Sequence, residues 1–284
     1  MAKFVPTALP EEVYEEDATG GVAAIYDDIK ATFQTPLVNM IFRRLAIDER
    51  ALAWCWENAK PLVQSGAIGS AGERLVDGLF VEGVPCVAEN VLKQADIAAE
   101  QWKVVRATID SYNRANPRNV TTLGVLNALK SRAPVNPLSN PPEPITTEAA
   151  AVALPSMVPL DAMEPGVSAN VQTLMRHREP DTTFSVPSMY RHLANWPGVL
   201  EISVQLLEPM LADGRIPRAA AALTASAMTI GEEIASAGPL SPAPAPDSDA
   251  GILIDQVIAS FSTNIPELIV VGHVLRQVFA ETAT

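Results

Sequence analysis

Phe42-Arg43-Arg44-Leu45-Ala46 recurs later in the chain as Tyr190-Arg191-His192-Leu193-Ala194. The echo continues at one constant offset, pairing Leu52 with Leu200, Pro61 with Pro209, Gly66 with Gly214, Ile68 with Ile216, Ala71 with Ala219 and Leu75 with Leu223. Upstream, Phe33 and Pro36 match Phe184 and Pro187, with three residues fewer before the Arg. An internal repeat of this length decides the architecture ahead of any local signal. It also directs attention to the seam between the copies and to positions where they differ.

Around these strings the apolar spacing is helical. Val87, Val91, Ala95, Ala98, Trp102, Val105, Ile109 and Tyr112 step by threes and fours, which predicts one amphipathic helix. Arg106, Asp110 and Arg114 read as a solvated ladder on its outer face. Asn119 then reads as the cap of a separate, shorter helix. Thr35-Pro36 reads as an N-cap followed by proline at the first helical position, with apolar spacing continuing from Met40 to Val63. Ala71, Leu75, Leu79 and Phe80 form a further stripe, Ala219 to Ile230 is helix-favouring, and Ile254 to Phe279 reads as two closing helices. No stretch alternates as a strand would.

Ser131 to Pro165 carries eight prolines, a density that forbids long helix and disfavours sheet. Pro239 to Pro246 reads as a surface loop. The organisation predicted is all-α: helical repeat one over 1–133, a proline-rich crossover over 134–165, and helical repeat two over 166–284. The repeats are expected to be related by a pseudo-twofold and to pack as one globule, since each alone would expose a large apolar face.

The chain has 284 residues, 48% of them hydrophobic, and a net charge of -13. That charge argues against a nucleic-acid partner. Cys55 and Cys86 show no Cys-x-x-Cys spacing and read as buried free thiols. The N-terminal stretch lacks the pattern of a signal peptide, and Leu268 to Phe279 is too short to span a bilayer, so no membrane partner and a cytoplasmic location are expected. No glycine-rich phosphate loop, zinc spacing or Gly-x-Ser-x-Gly elbow appears; no cofactor and no metal are expected. A homodimer is a plausible assembly for so apolar a chain.

The strings TFQTPLVNMIFRRLA and FSVPSMYRHLANWPGVL, their repetition and the proline-rich crossover resemble the group I 2-haloacid dehalogenases, the all-α, cofactor-independent type. The resemblance implies an active site buried between two helical repeats. It implies hydrolysis of the carbon–halogen bond of short 2-haloalkanoic acids with inversion, an Asp activating the attacking water. That Asp is expected beside a Ser at the start of the copy-two helix. Ser188 fits, and the next residue is Met189. A thioether cannot take a proton from water. By the same resemblance Phe33, Gln34 and Leu37 line the pocket from copy one. Asn113 or Asn116 holds the water, and Ile265 and Ile269 form apolar walls.

Several residues carry two readings. Arg43 and Arg191 would supply positive potential for a substrate carboxylate, or pair with acids at the seam. His192 would serve as a displaced base, its ordinary pKa being near neutral, or sit on a helix surface. Asp181 would swing in as a base, or serve a turn. If the helix starts at Thr35-Pro36 and Pro187-Ser188 converge, their backbone N–H groups would attract a small carboxylate. Three functions fit: a hydrolytic dehalogenase with a relocated base, a non-catalytic binder of a small apolar carboxylic acid, and a helical interaction protein.

Overall fold

The computed structural model describes residues 11–35, 37–84, 95, 97–131, 154–177, 186–237, 245–246 and 249–280. Pro36, Cys86, Val87, Val91, Asp181, Phe184, most of the proline-rich crossover and most of the Pro239–Pro246 loop lie outside them. The described residues form α-helices and short 3₁₀ turns, with no strand among them. The order is α1 (Gly20–Phe33), α2 (Met40–Leu45), α3 (Glu49–Gln64), α4 (Ala67–Val76), α5 (Ala99–Lys130), α6 (Pro165–Met175), α7 (Ser188–Leu193), α8 (Pro197–Ala212), α9 (Arg215–Ala237) and α10 (Asp249–Ala280).

The series from α1 to α5 and the series from α6 to α10 share an order. α2 and α7 have 6 residues each, α3 and α8 have 16, α5 and α10 have 32. Gly66 and Gly214 turn the chain after α3 and α8 with φ of 75° and 79°, a left-handed conformation that glycine reaches without strain. Pro61 and Pro209 sit late in those helices. The carbonyls they release, at Glu57 and Gln205, belong to exposed residues, so water can satisfy them.

α5 and α10 run antiparallel through the centre, each about 48 Å long. Trp102 packs tilted against Phe279 with ring centres 5.4 Å apart, Asp110 pairs with Arg276 at 3.2 Å, Asn113 Nδ2 donates to the Gly272 carbonyl at 3.1 Å, and Lys130 donates to the Gly251 carbonyl at 2.8 Å. Each helix passes through a mid-span proline, Pro117 and Pro266, without ending. Pro266 frees the Ser262 carbonyl, and Thr224 Oγ1 of α9 donates to it at 3.1 Å. This is why the two predicted pairs of helices are two single ones. Asn119 is not a cap; its Oδ1 accepts from Asn39 Nδ2 at 3.1 Å. α10 is long and apolar enough to cross a membrane, but 67% of the qualifying stretch is buried, which makes it the core helix.

Other boundaries also move. α2 begins at Met40, not at Thr35-Pro36, because Asn39 caps it by accepting from the Phe42 N–H at 3.3 Å. Thr35 lies in the preceding turn, its hydroxyl donating to the Leu37 carbonyl. The stripe from Met40 to Val63 breaks at Asp48, which caps α3. α4 ends at Val76, and Phe80 beyond it is 76% exposed.

The short helices cross over. α2 packs on α3 and also on α10, from the other series; α7 packs on α8 and also on α5. α9 lies against α5 so closely that a Cβ on Gly231 would stand 2.2 Å from the Gly124 backbone.

Gly124→Ala is therefore expected to cost about 1–3 kcal/mol through forced separation of α5 and α9. Gly166→Ala, on α6 with nothing within reach of the new methyl, should gain about 0.4–1 kcal/mol. Urea unfolding midpoints of the two variants, moving in opposite directions, check the close approach.

Candidate functional site

α7 is only one and a half turns long, so packing must hold it. Met189, Tyr190, His192 and Leu193 are buried, while Ser188 and Arg191 are half-buried. Ser188 and His192 stand four residues apart on the face toward α5. There Tyr112 and Asn116, also four apart, share a face. Tyr112 joins the two pairs: its hydroxyl is 2.6 Å from His192 Nδ1, and the Ser188 hydroxyl hydrogen-bonds to it.

A strap running before each series fixes this arrangement. In the first, the Val13 N–H donates to the Arg43 carbonyl at 3.1 Å; in the second, the Val158 N–H donates to the Arg191 carbonyl at 3.2 Å. Arg44 reaches back to the Glu11 carbonyl at 2.7 Å, and His192, its counterpart, hydrogen-bonds the Pro155 carbonyl. A carbonyl only accepts, so the ring nitrogen facing Pro155 carries the proton. With Nδ1 facing Tyr112, the tautomer protonated on Nε2 is the one that the Pro155 carbonyl favours, and it leaves Nδ1 to accept from the Tyr112 O–H.

His192 is 2% exposed, which corrects its reading as a surface histidine. Helix α7 is too short to reveal a buried face by periodicity, and the strap that covers it arrives from more than thirty residues upstream. Burial pulls the His192 pKa down, the Pro155 bond opposes this, and Arg191 adds to the lowering. Burial pushes the Tyr112 hydroxyl up, with Ser188, Arg191 and Arg43 opposing. Both groups are thus neutral at neutral pH.

The two repeated arginines part company here. Arg43 pairs with Glu12 at 3.0 Å and lies 5.6 Å over the Tyr14 ring. Arg191 donates from Nε to the Val158 carbonyl at 3.2 Å and has no carboxylate partner among the described residues. The straps explain the difference. With Val13 matched to Val158, the position of Glu12 falls on Met157, which offers no charge.

The remaining expected site residues are distributed as follows. Phe33 is half-buried in an aromatic cluster, 6.1 Å from Phe42 and 5.8 Å from Trp56. Gln34 is exposed and left-handed at φ 52°, closing α1, and Leu37 is 45% exposed. Neither has a described contact with α7. Asn113 spends its amide on Gly272, whereas Asn116, 7% exposed, has an Nδ2 without a partner. Met189 is 0% exposed, and Ile265 and Ile269 are buried on the α10 stripe that includes Gly272. Asp181 lies outside the described residues. α7 starts at Ser188 as expected, but Thr35 does not start a helix, so the two starts are not the matched pair that the sequence suggested. Arg106 and Asp110 are not simply a solvated ladder. With Ile109, Arg276 and Phe279 they line a cleft of about 210 Å³ that begins within one turn of Tyr112 along α5. Among the described residues no three His, Cys, Asp or Glu gather as metal ligands would. Tyr112 is the residue the sequence pattern hides, because it occupies an apolar position of a helical stripe.

No protein-family model matches the chain. A 2-haloacid dehalogenase of the configuration-inverting type, from Pseudomonas sp. (strain 113), is 24% identical over 197 residues. That match covers 68% of this chain and 64% of that protein's own length. Among solved structures, a D-2-haloacid dehalogenase mutant superposes with a TM-score of 0.72 at 19% identity, covering 100% of this chain and 98% of that one. A D-2-haloacid dehalogenase in complex with L-LA gives 0.68 at 21%, covering 100% and 99%. A mutant in complex with D-2-CPA gives 0.67 at 20%, again covering 100% and 99%. The chain has the all-α dehalogenase fold, and its sequence resembles the group I 2-haloacid dehalogenases.

The buried imidazole of His192 and the half-buried one of His273 carry a stability signature. His192 and His273 both have pKa values held below 6.5, each chiefly by burial. An unfolded chain binds these protons at higher pH than the folded one. Stability is therefore full above 6.5 and lost as pH falls below it. The described carboxylates with shifted pKa values are lowered and act further down the scale. Urea midpoints should fall from pH 7 to about 5; a level profile would show that both imidazoles accept protons without cost.

Proposed function

We propose that this chain is a 2-haloacid dehalogenase-like protein that takes a short 2-substituted carboxylic acid at the seam of two repeats related by a pseudo-twofold. The repeats are 1–133 and 166–284, joined by the crossover 134–165. The observation that carries this reading is Arg191. It is a half-buried guanidinium without a carboxylate partner among the described residues, on the same short helix as Ser188 and one residue from the His192–Tyr112 pair. A guanidinium left uncompensated beside neutral hydrogen-bonding groups suits a carboxylate better than it suits a cation or a neutral ligand. The reading gives each group a role. Arg191 holds the carboxylate. Ser188 and the unpartnered Asn116 amide meet polar atoms, and Met189, Ile265 and Ile269 present apolar walls. Hydrolytic cleavage of the carbon–halogen bond is the reaction the resemblance brings with it. Met189, which has no proton-accepting atom of use, favours a second reading: binding of the acid without turnover.

Halide release from each enantiomer of 2-chloropropionate, measured beside the melting shift each produces, separates the two. Both readings predict a rise in melting temperature with ligand concentration. Release accompanies it only in the first; in the second, release should appear on Met189→Asp. Arg191→Gln is expected to weaken binding about 10- to 100-fold in either case. Absence of any melting shift with short carboxylates would refute both.

A further inference from the structure

We propose that the proton acceptor of this site is Tyr112 backed by His192, in place of a carboxylate on α7. The inference rests on the reading that the seam takes a 2-haloacid. Its basis is a directed chain of hydrogen bonds that the α7–α5 packing and the strap hold together. The Tyr112 hydroxyl stands 2.6 Å from His192 Nδ1, and the Pro155 carbonyl beside the ring favours the tautomer that leaves the Nδ1 lone pair aimed at Tyr112. The Tyr112 proton is thereby committed inward, to Nδ1 at 2.6 Å. Its oxygen is left as an acceptor toward Ser188 and toward whatever shares the half-buried lip of the site. His192 itself is buried and meets the site through Tyr112. Tyr112 is the catalytic residue; His192 is the positioning residue that receives its proton.

The step balances without an added oxidant or reductant. A water oxygen forms a bond to C2 of the acid as the C2–halogen bond breaks and the halide leaves with its electron pair. The water gives a proton to the Tyr112 oxygen while the Tyr112 proton passes to His192 Nδ1. The imidazolium later returns a proton to solvent through the same hydroxyl, and the products are the 2-hydroxy acid, halide and a proton. An imidazole whose pKa is held below 6.5 is in its basic form at neutral pH and can accept the proton that Tyr112 passes on.

The charged groups facing the pair are few. Arg191 lies on the same helix, and Arg43 approaches from α2 with Glu12 compensating it. Among its described residues the strap contributes the Pro155 carbonyl and no charge that acts on the pair. On α8, Glu201 is exposed and Glu208 is bound to Arg176 and His177. One titration below 6.5 should therefore govern the low-pH limb.

The decisive comparison is wild type against Tyr112→Phe, which keeps the ring and removes the relay oxygen. Halide release from 2-chloropropionate, its pH profile, and the ligand-induced melting shift are read on both. Wild-type kcat/KM should rise with pH to a plateau, with its midpoint below 6.5. Tyr112→Phe should lose about 100- to 10,000-fold in kcat, lose that limb, and keep KM and the melting shift. His192→Asn should reproduce the loss of kcat and of the limb. Undiminished kcat in Tyr112→Phe would overturn the proposal. So would a wild type whose melting rises with 2-chloropropionate while neither enantiomer releases halide, although the binding site would then stand. A wild type showing neither shift nor release would overturn the proposal together with the reading beneath it.

Discussion

The antiparallel pairing of α5 and α10 is the constraint on which the rest of this structure depends. Two 32-residue helices lie close enough for Asn113 to reach the Gly272 backbone, an approach that a Cβ at Gly272 would block by standing 2.2 Å from Asn113 Oδ1. Each helix carries a proline at its middle, and Pro266 is tolerated because Thr224 takes up the released carbonyl. Once this pair is in place, the six-residue helices have somewhere to go. α2 rests on α10 and α7 rests on α5, so each series is braced by the long helix of the other. Helices of one and a half turns have no stability of their own. Their position is a property of the seam, and so is everything chemical that they carry.

On that common frame the two series differ at three matched positions. Arg44 becomes His192, Glu12 becomes Met157, and Arg43, neutralised by Glu12, becomes Arg191, which lacks a described acid. The first series uses its strap to cancel charge, which is what a structural contact needs. The second uses the equivalent strap beside an imidazole and leaves its guanidinium without a carboxylate partner among the described residues. The second arrangement costs stability and is the kind that functional sites retain.

The shared order of the two helix series was legible because glycines and prolines mark backbone requirements directly. Gly66 and Gly214 stand where φ is positive, and Pro61 and Pro209 fall where exposed carbonyls can be released. Helix ends were less legible. Pro117, Asn119 and Pro266 look like breaks, yet α5 and α10 run through them; tertiary partners take up two of the three, with Asn119 answering Asn39 and Thr224 answering Ser262. The candidate site was partly visible. Ser188, Met189 and His192 stand together in sequence, but what decides their chemistry comes from Tyr112 on α5 and Pro155 in the strap. Tyr112 counts as one more apolar position in a helical stripe, and no local pattern separates it from core. His192 looked exposed for the same reason: its cover is long-range.

Arg191 gives the site an internal linkage. Its charge lowers the His192 pKa, opposing the formation of imidazolium that the relay requires. The same charge is what a substrate carboxylate would neutralise. On the proposed assignment, binding of the acid removes the repulsion at the moment a water is held against C2, and His192 becomes a better proton acceptor only when substrate is present. A carboxylate at position 189 would provide a base outright, but on a side chain that is 0% exposed it would need donors to replace water and would compete with substrate for Arg191. Met189 avoids both conflicts. Its apolar side chain keeps the positive potential of Arg191 undivided, so the methionine that removes one base also preserves the charge that would draw in the acid and, on binding, restore the other.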